Sequence, residues 1–412
     1  MPTVQKPVIV FDNTENAFKY KSDKDLKQAG FLFSSMGFQW VVNLGTRLTP
    51  WAIKSGLPIK GIIRNTIFRQ FVGGETLEET KQVVDLLAKY KVQVILDYGV
   101  EGGDEGDAEF DHAMHEFIKV IDYAASQPSI PVMSIKPTGM ARHSLLQKLD
   151  DLMHQTTNTL MKRYDWALAK LNDAERAEWQ KVVERIDRIC ARGNEKGVQV
   201  TVDAEETWIQ DPIDAVTILM MDKYNRGKAV VLNTVQLYRH DRLAFLRAML
   251  EAAKERNFIL GAKLVRGAYM EKERARAEEM GYPSPIQADK ASTDADYNEA
   301  VQLCIDHLDQ VSVIVASHNE HSNKLAADLL YKKGYPLNHP HVHFSQLFGM
   351  SDNITFNLAA AGCNVSKYLP FGPIEDVIPY LMRRAQENSS VGGQTGRELL
   401  LIRKELKRRG IK

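Results

Sequence analysis

The sequence predicts an α/β protein built on a (β/α)8 barrel of the TIM type, with a helical region before it and a helical insertion after its second strand. Three observations carry that reading. From residue 92 onward, short β-branched runs alternate with helical stretches. The runs number eight, which is the number that closes such a barrel. Most intervals between them have room for a strand, a loop, a crossover helix and a return loop. The rival is an open doubly wound sheet. Its usual GxGxxG turn after the first strand occurs nowhere in the 412 residues.

In chain order, residues 1–90 read as a mostly helical region. Leu77, Thr80, Val83, Val84 and Leu87 recur there at helical spacing. The extended runs are 92–99, 130–139, 198–205, 229–238, 258–269, 311–319, 341–350 and 363–372. In the third, Val198, Val200 and Val202 point one way and Thr201 and Asp203 the other. The valines suit the layer facing the helices, and Asp203 suits the lumen. The widest interval holds a helical insertion, residues 141–195. The interval between the fifth and sixth runs holds a polar loop rich in Pro and Ala near 281–296. A helix follows the eighth run. The barrel with its insertion then spans 91–395, and 396–412 form a basic C-terminal helix.

Charge and composition exclude several classes. Lys plus Arg and Asp plus Glu each number 53, so the formal net charge is zero. That argues against a general nucleic-acid binder, which needs excess cations for phosphate. Hydrophobic residues at 44% and charged residues at 26% are the balance of a globular protein. Cys190, Cys304 and Cys363 are odd in number and far apart. No disulfide framework or CxxC pair can be drawn, which fits a reducing cytoplasm. No apolar run approaches the roughly 20 residues that span a bilayer. The N-terminus has neither a signal peptide's basic and apolar regions nor a transit peptide's composition. Contact with a membrane would be made from its surface.

A barrel enzyme keeps its active site at the carboxyl ends of the strands. Those ends give the candidates Asp97 and Glu101, Lys136, Asp203 and Glu205, Gln236, Lys263 and Arg266, Ser317 and His318, Gln346 and Tyr368. Any one of them alone reads equally as a loop start or a helix cap. The case rests on convergence, since a barrel gathers all eight ends at one rim. In the helix after the eighth run, Tyr380, Arg383, Arg384 and Glu387 share one face. An arginine pair beside a tyrosine suits a carboxylate ligand. A solvated face with a local Arg–Glu pair explains the same spacing. His339, His341 and His343 have metal-like spacing, but no carboxylate or cysteine stands at ligand distance in sequence, so no metal is expected. His318 is the better contact for an anion, and His321 belongs to the next helix start.

The segments SIKPTGM, VDAEE, NTVQLYRHD, KLVRGAYM, ASHN and YLPFG, followed by YLMRRAQENS, resemble the proline dehydrogenase family in order and spacing, from about residue 60 to 395. The resemblance implies a flavin-bearing barrel that oxidises L-proline to Δ1-pyrroline-5-carboxylate and passes electrons to a membrane quinone. It implies a non-covalent FAD, because no Cys or His stands in a recognisable flavin-attachment context. The chain has no room for the aldehyde dehydrogenase domain of bifunctional relatives and resembles the one-domain form. Carried over residue by residue, Arg383, Arg384 and Lys136 would bind the proline carboxylate. Glu101 would pair with Arg383 as a gate. Leu264, Tyr269, Tyr368 and Tyr380 would wall the ring. Asp203 matches the family's essential rim aspartate. Gln236 would hydrogen-bond the flavin ring, and Lys263 would approach its N5 and N1–O2 side. Ala204, and the stretch Arg266, Gly267 and Ala268, would lie against the cofactor. Ser317 and His318 would meet its pyrophosphate, Lys290 and Thr293 would reach it from the long loop, and Glu387 would meet its ribose. Lys263 and Met270 stand where many bacterial members have Arg and Trp, a departure that resembles the eukaryotic-type branch.

Three other readings stay open at this point. Lys136 or Lys263, both at strand ends, could serve a Schiff-base aldolase. The chain could be a non-catalytic barrel that binds or regulates. It could oxidise hydroxyproline, although relatives with that preference lack the tyrosine matching Tyr368, which tilts the choice to proline. A cytoplasmic location fits, with peripheral contact at the inner face of the membrane where a quinone would lie. Whether copies form a homo-oligomer is left open.

Overall fold

The computed structural model describes residues 9–55, 59–99, 106–389 and 395–411. Eight parallel strands close in sequence order. They are β1 Gln93–Tyr98, β2 Val132–Ile135, β3 Gln199–Val202, β4 Val231–Gln236, β5 Leu260–Val265, β6 Val311–Ala316, β7 Val342–Leu347 and β8 Val365–Phe371. Each lies inside one of the extended runs. Strands of a parallel barrel are covered on both faces, so they read as apolar runs that end in polar residues. Contacts divide the chain into two compact units, 101–343 and 1–100 with 344–412.

In the unit 101–343, Ser134 pairs with Thr201, Val202 with Asn233 and Thr234 with Lys263. Gly261 permits the close approach of β5 to β4: a Cβ there would sit 2.2 Å from the Val231 carbonyl oxygen. The insertion forms helices His143–Met153, Leu160–Lys170 and Asp173–Lys196. Asn172 and Glu175 form a capping box at the start of the third, and Gly197 ends it with φ of 71°. A Cβ at Gly193 of that helix would sit 2.8 Å from Val200 Cγ2, so the Val200 side chain faces the helical layer.

The polar loop expected near 281–296 is corrected. A helix runs Lys290–Asp306, capped by Asp289, whose carboxylate accepts from the Ser292 amide at 2.7 Å. Its first turn, Lys290-Ala291-Ser292-Thr293, has no large apolar residue and gives no stripe to read. Lys290 and Thr293 therefore stand on a helix start, where Lys290 pairs with Asp294 at i+4.

In the other unit the N-terminal helices and the last two helices share one core. Phe18, Leu26, Phe33, Phe68 and Phe71 pack with Val377, Leu381, Leu401 and Ile402. Phe33 and Phe71 meet edge to face at 6.1 Å. Each fully buried phenylalanine contributes about 1.5–3 kcal/mol. A polar tie adds direction. Lys367 of β8 is fully buried and pairs with Asp352 at 2.8 Å, and the Tyr20 hydroxyl donates to the same carboxylate at 2.7 Å. The described parts of 9–90 and 396–411 thus share one core.

Candidate active site

At the carboxyl ends of β2 to β5 a charged cluster is buried. Asp203 follows β3 and accepts from Lys263 Nζ, which rises from β5 and is 5% exposed. Alternation along the strands places Thr201 and Asp203, Thr234 and Gln236, and Lys263 on one face. Gln236 is buried at the end of β4 and donates from Nε2 to the Glu205 carbonyl at 2.8 Å. Lys136 is buried at the end of β2. Tyr269, in the turn after β5, donates to Glu205 Oε2 at 2.9 Å. Burial and the neighbouring Glu206 push the Glu205 carboxyl up to about 8, against the opposing pull of Lys136. Glu205 was legible as a strand-end candidate, but its contacts were not.

A second group surrounds Arg266 at the end of β5. Its guanidinium donates to Asp294 at 2.8 Å, Ser317 Oγ at 2.6 Å and Ser322 Oγ at 3.0 Å. It also stacks 4.3 Å from the centre of the Tyr297 ring. Ser317 Oγ accepts a second bond from the Asn319 amide. His318 beside it is half-buried, Thr293 is buried and Lys290 is exposed. Asp294 and Tyr297 were missed by sequence reasoning; only the i,i+4 spacing of Lys290 and Asp294 hinted at the first. Gly267 has φ of 138°, and a Cβ there would meet the Tyr238 ring at 2.4 Å. Gly267 and Ala268 are exposed and carry almost no side chain.

These features fit FAD. The bare turn at Gly267 and Ala268 leaves a flat surface for a ring. Arg266 and Lys290 with the hydroxyls of Thr293 and Ser317 make a donor set for a pyrophosphate, and Lys263 stands apart from them beside Asp203, at the strand end a ring would meet. Thr234 Oγ1 and the Tyr238 hydroxyl are buried without a hydrogen-bond partner among the described residues. Ala204 sits half-buried beside Asp203.

In the other unit, Tyr368 of β8 is half-buried and lies in register with Ile95 and Leu347. Lys367 pairs with Asp352 outside the barrel wall, so strand alternation turns Tyr368 to the lumen. The helix Ile374–Ser389 buries Val377, Leu381 and Ala385 in its core. Tyr380 and Arg384 are buried too, at 8% and 6% exposure, so this face is not simply a solvated one. The Arg384 guanidinium lies 5.2 Å from the Tyr380 ring centre and pairs with Glu387. Burial drives the Tyr380 hydroxyl up to about 12, partly offset by Arg384. Arg383 is half-buried. Glu101 lies outside the described residues.

The histidine segment is occupied otherwise. His341 Nδ1 lies 2.7 Å from the Leu308 carbonyl, and burial holds His343 neutral, down to about 4. Asp150, His154 and Asp211 do bring ligand atoms within 4.8 Å of one another. Arg163 stands 2.9 Å from Asp211 there and already supplies the positive charge. Among the described residues no helix is long and apolar enough to cross a membrane.

Comparison with known proteins gives the family. A family model described as proline dehydrogenase matches residues 80–397. The Dictyostelium discoideum protein named "Proline dehydrogenase 1, mitochondrial" is 32% identical, over 85% of this chain and 66% of its own length. The Xenopus laevis protein named "Hydroxyproline dehydrogenase" is also 32% identical, over 95% of this chain and 88% of its own. Proline utilization A from Bdellovibrio bacteriovorus shares the fold, with a TM-score of 0.69 at 21% identity over 93% of this chain. The chain spans 39% of that longer structure. On the family match over residues 80–397, the chain belongs to the proline dehydrogenase family.

Proposed function

We propose that the chain oxidises L-proline to Δ1-pyrroline-5-carboxylate with a non-covalently bound FAD and delivers the electrons to a membrane quinone. The observation that carries this is the family match over 80–397, which takes in all eight strands and the arginine helix. When bound, FAD supplies a two-electron acceptor for the hydride that leaves proline C5.

The chain's own residues do the positioning. Lys136, Arg383 and Arg384 take the substrate carboxylate, with Glu101 closing over it. Such a grip orients the reacting carbon and makes a bimolecular step effectively unimolecular. Tyr269, Tyr368 and Tyr380 wall the ring and exclude water; Leu264, expected in that wall, is not part of it, because strand alternation turns it to the face of β5 opposite Lys263, where it is fully buried. Lys263, held by Asp203, would place its ammonium group beside the flavin ring and favour an anionic form of it. Gln236, Ala204 and the 266–268 turn support the flavin ring. Ser317, His318, Lys290 and Thr293 serve its phosphates, and Glu387 its ribose. The protein supplies orientation and charge, and the cofactor carries the redox chemistry.

Hydroxyproline is the second reading, favoured by the Xenopus relative's name. Tyr368 opposes it, since a phenol against C4 of the ring leaves no volume for a hydroxyl. The Schiff-base reading loses one candidate to the Asp203 ion pair, which engages Lys263 Nζ. The test is turnover of L-proline with an artificial electron acceptor, with the cyclic imine trapped by o-aminobenzaldehyde. Formation of the coloured adduct is expected; turnover of hydroxyproline alone, or of neither, overturns the proposal.

A further inference from the structure

Glu205 has no role in the reading above, yet it touches residues on which that reading depends. It lies in the 203–206 loop after β3 and is 5% exposed. Its two carboxyl oxygens serve two hydroxyls: Oε1 bonds Thr138 Oγ1 at 3.0 Å, and Oε2 bonds the Tyr269 hydroxyl at 2.9 Å. Its backbone is held as well. The carbonyl accepts from Gln236 at 2.8 Å, and the amide donates to Gln210 Oε1 at 2.7 Å. Gln210 in turn donates to Asp214 at 2.8 Å. One residue therefore ties the loop after β2, the end of β4 and the turn after β5 to β3.

We propose that Glu205 is a positioning residue for proline: it fixes the Tyr269 phenol through its carboxyl group and sets how much of the Lys136 charge is left for the substrate carboxylate. This rests on the proline reading. A tyrosine hydroxyl has one proton and two lone pairs, so a fixed partner fixes both the ring and the direction of the remaining lone pairs. A neutral carboxyl makes no demand on the Lys136 charge, whereas a carboxylate competes with the substrate for it.

The groups whose charge bears on Glu205 are Lys136 from β2, Tyr269 from the turn after β5 and Glu206 in its own loop. Glu206 is itself paired with Lys272. Asp203, two residues upstream, is paired with Lys263. Burial and Glu206 keep the proton on Glu205 near neutral pH, with the change to carboxylate near 8. On either side of that pH both hydroxyl bonds persist; only the donor in one of them reverses.

The test uses the flavin-loaded enzyme, with kcat and KM for L-proline measured from pH 6 to 10 at saturating artificial acceptor. Glu205→Gln keeps the shape and cannot ionise. Its KM is expected to be two- to threefold above wild type at pH 7, and the ratio of variant to wild type should fall below one above pH 8. Taking the ratio removes the effect of proline's own ionisation. Glu205→Ala should raise KM about tenfold at pH 7 with a smaller change in kcat. Adding Tyr269→Phe should then cost little more, because both changes break one bond. A Glu205→Gln ratio that stays flat across pH overturns the proposal, and so do Glu205→Ala and Tyr269→Phe effects that multiply. If Glu205→Ala does not fold, the Glu205→Gln profile decides alone. Wild type that oxidises no proline overturns the underlying reading, an outcome seen before any variant is made.

Discussion

Replacing Arg384 with methionine removes a guanidinium but leaves an unbranched side chain in the same space. Arg384 is 6% exposed, lies 5.2 Å from the Tyr380 ring centre and pairs with Glu387, whose side chain is 41% exposed. In the ligand-free protein the change removes a partly exposed ion pair, worth up to about 1 kcal/mol, and a cation–π contact of about 0.5–2 kcal/mol. Glu387 keeps partial exposure and the Arg383 charge, which limit the cost of losing its partner. Bound proline loses more. A charge pair to a desolvated carboxylate costs about 2–5 kcal/mol when truncated. At about 1.4 kcal/mol per decade that is roughly 30-fold to several thousand-fold in affinity. The lower end applies, because Lys136 and Arg383 keep their charge. The assay is KM for L-proline with saturating artificial acceptor, run beside flavin content and thermal unfolding. KM should rise at least about 30-fold with flavin content unchanged and the melting temperature within a few degrees. A KM within twofold of wild type would refute the reasoning and make Ile374–Ser389 a helix without ligand contact.

Three further outcomes follow from the same geometry. Lys263→Met removes the ion-pair partner of the Asp203 carboxylate, whose side chain is 15% exposed, and should cost about 3 kcal/mol in denaturant unfolding, the low end for breaking a buried pair; Asp203→Leu added to it should recover part of that loss, and equal losses would contradict the pairing. Tyr368→Ser should shift the kcat/KM ratio toward hydroxyproline, mostly by weakening proline, and an unchanged ratio would mean that Tyr368 does not touch the ring. Glu205 binds its proton more tightly folded than unfolded, so its contribution to stability is complete below about pH 4.5 and is lost as pH rises toward 8. Urea unfolding of Glu205→Gln should lack that part of the decline, and identical pH slopes in both proteins would contradict it.

The strands were legible because most are apolar runs closed by a polar residue, as in Val198 to Asp203 or Leu260 to Arg266. The helix Lys290–Asp306 was not. Its later turns bury Tyr297, Val301, Cys304 and Ile305 at helical spacing, but its first turn buries only Thr293, so its start is marked only by the Asp289 cap. The common core of the N-terminal helices with Val377 and Leu401 was also hidden, since it joins residues more than three hundred positions apart. At the site, residue types at strand ends gave Asp203, Lys263, Gln236 and Glu205. Their partners come from register and loop geometry: Lys263 reaches Asp203 across two strands, and Tyr269 reaches Glu205 from another turn. Lys367 shows the converse. A lysine at a strand centre suggests a lumen charge, yet it turns outward to Asp352 and leaves the lumen face to Tyr368.

The most direct test of the central claim is one visible absorbance spectrum of the purified protein, before and after L-proline is added without oxygen. The account predicts the yellow absorbance of an oxidised flavin, bleaching of its long-wavelength band on addition of proline, and release of all the colour by acid. A protein that is colourless and stays so after reconstitution with FAD, or whose flavin is unchanged by proline, would contradict it.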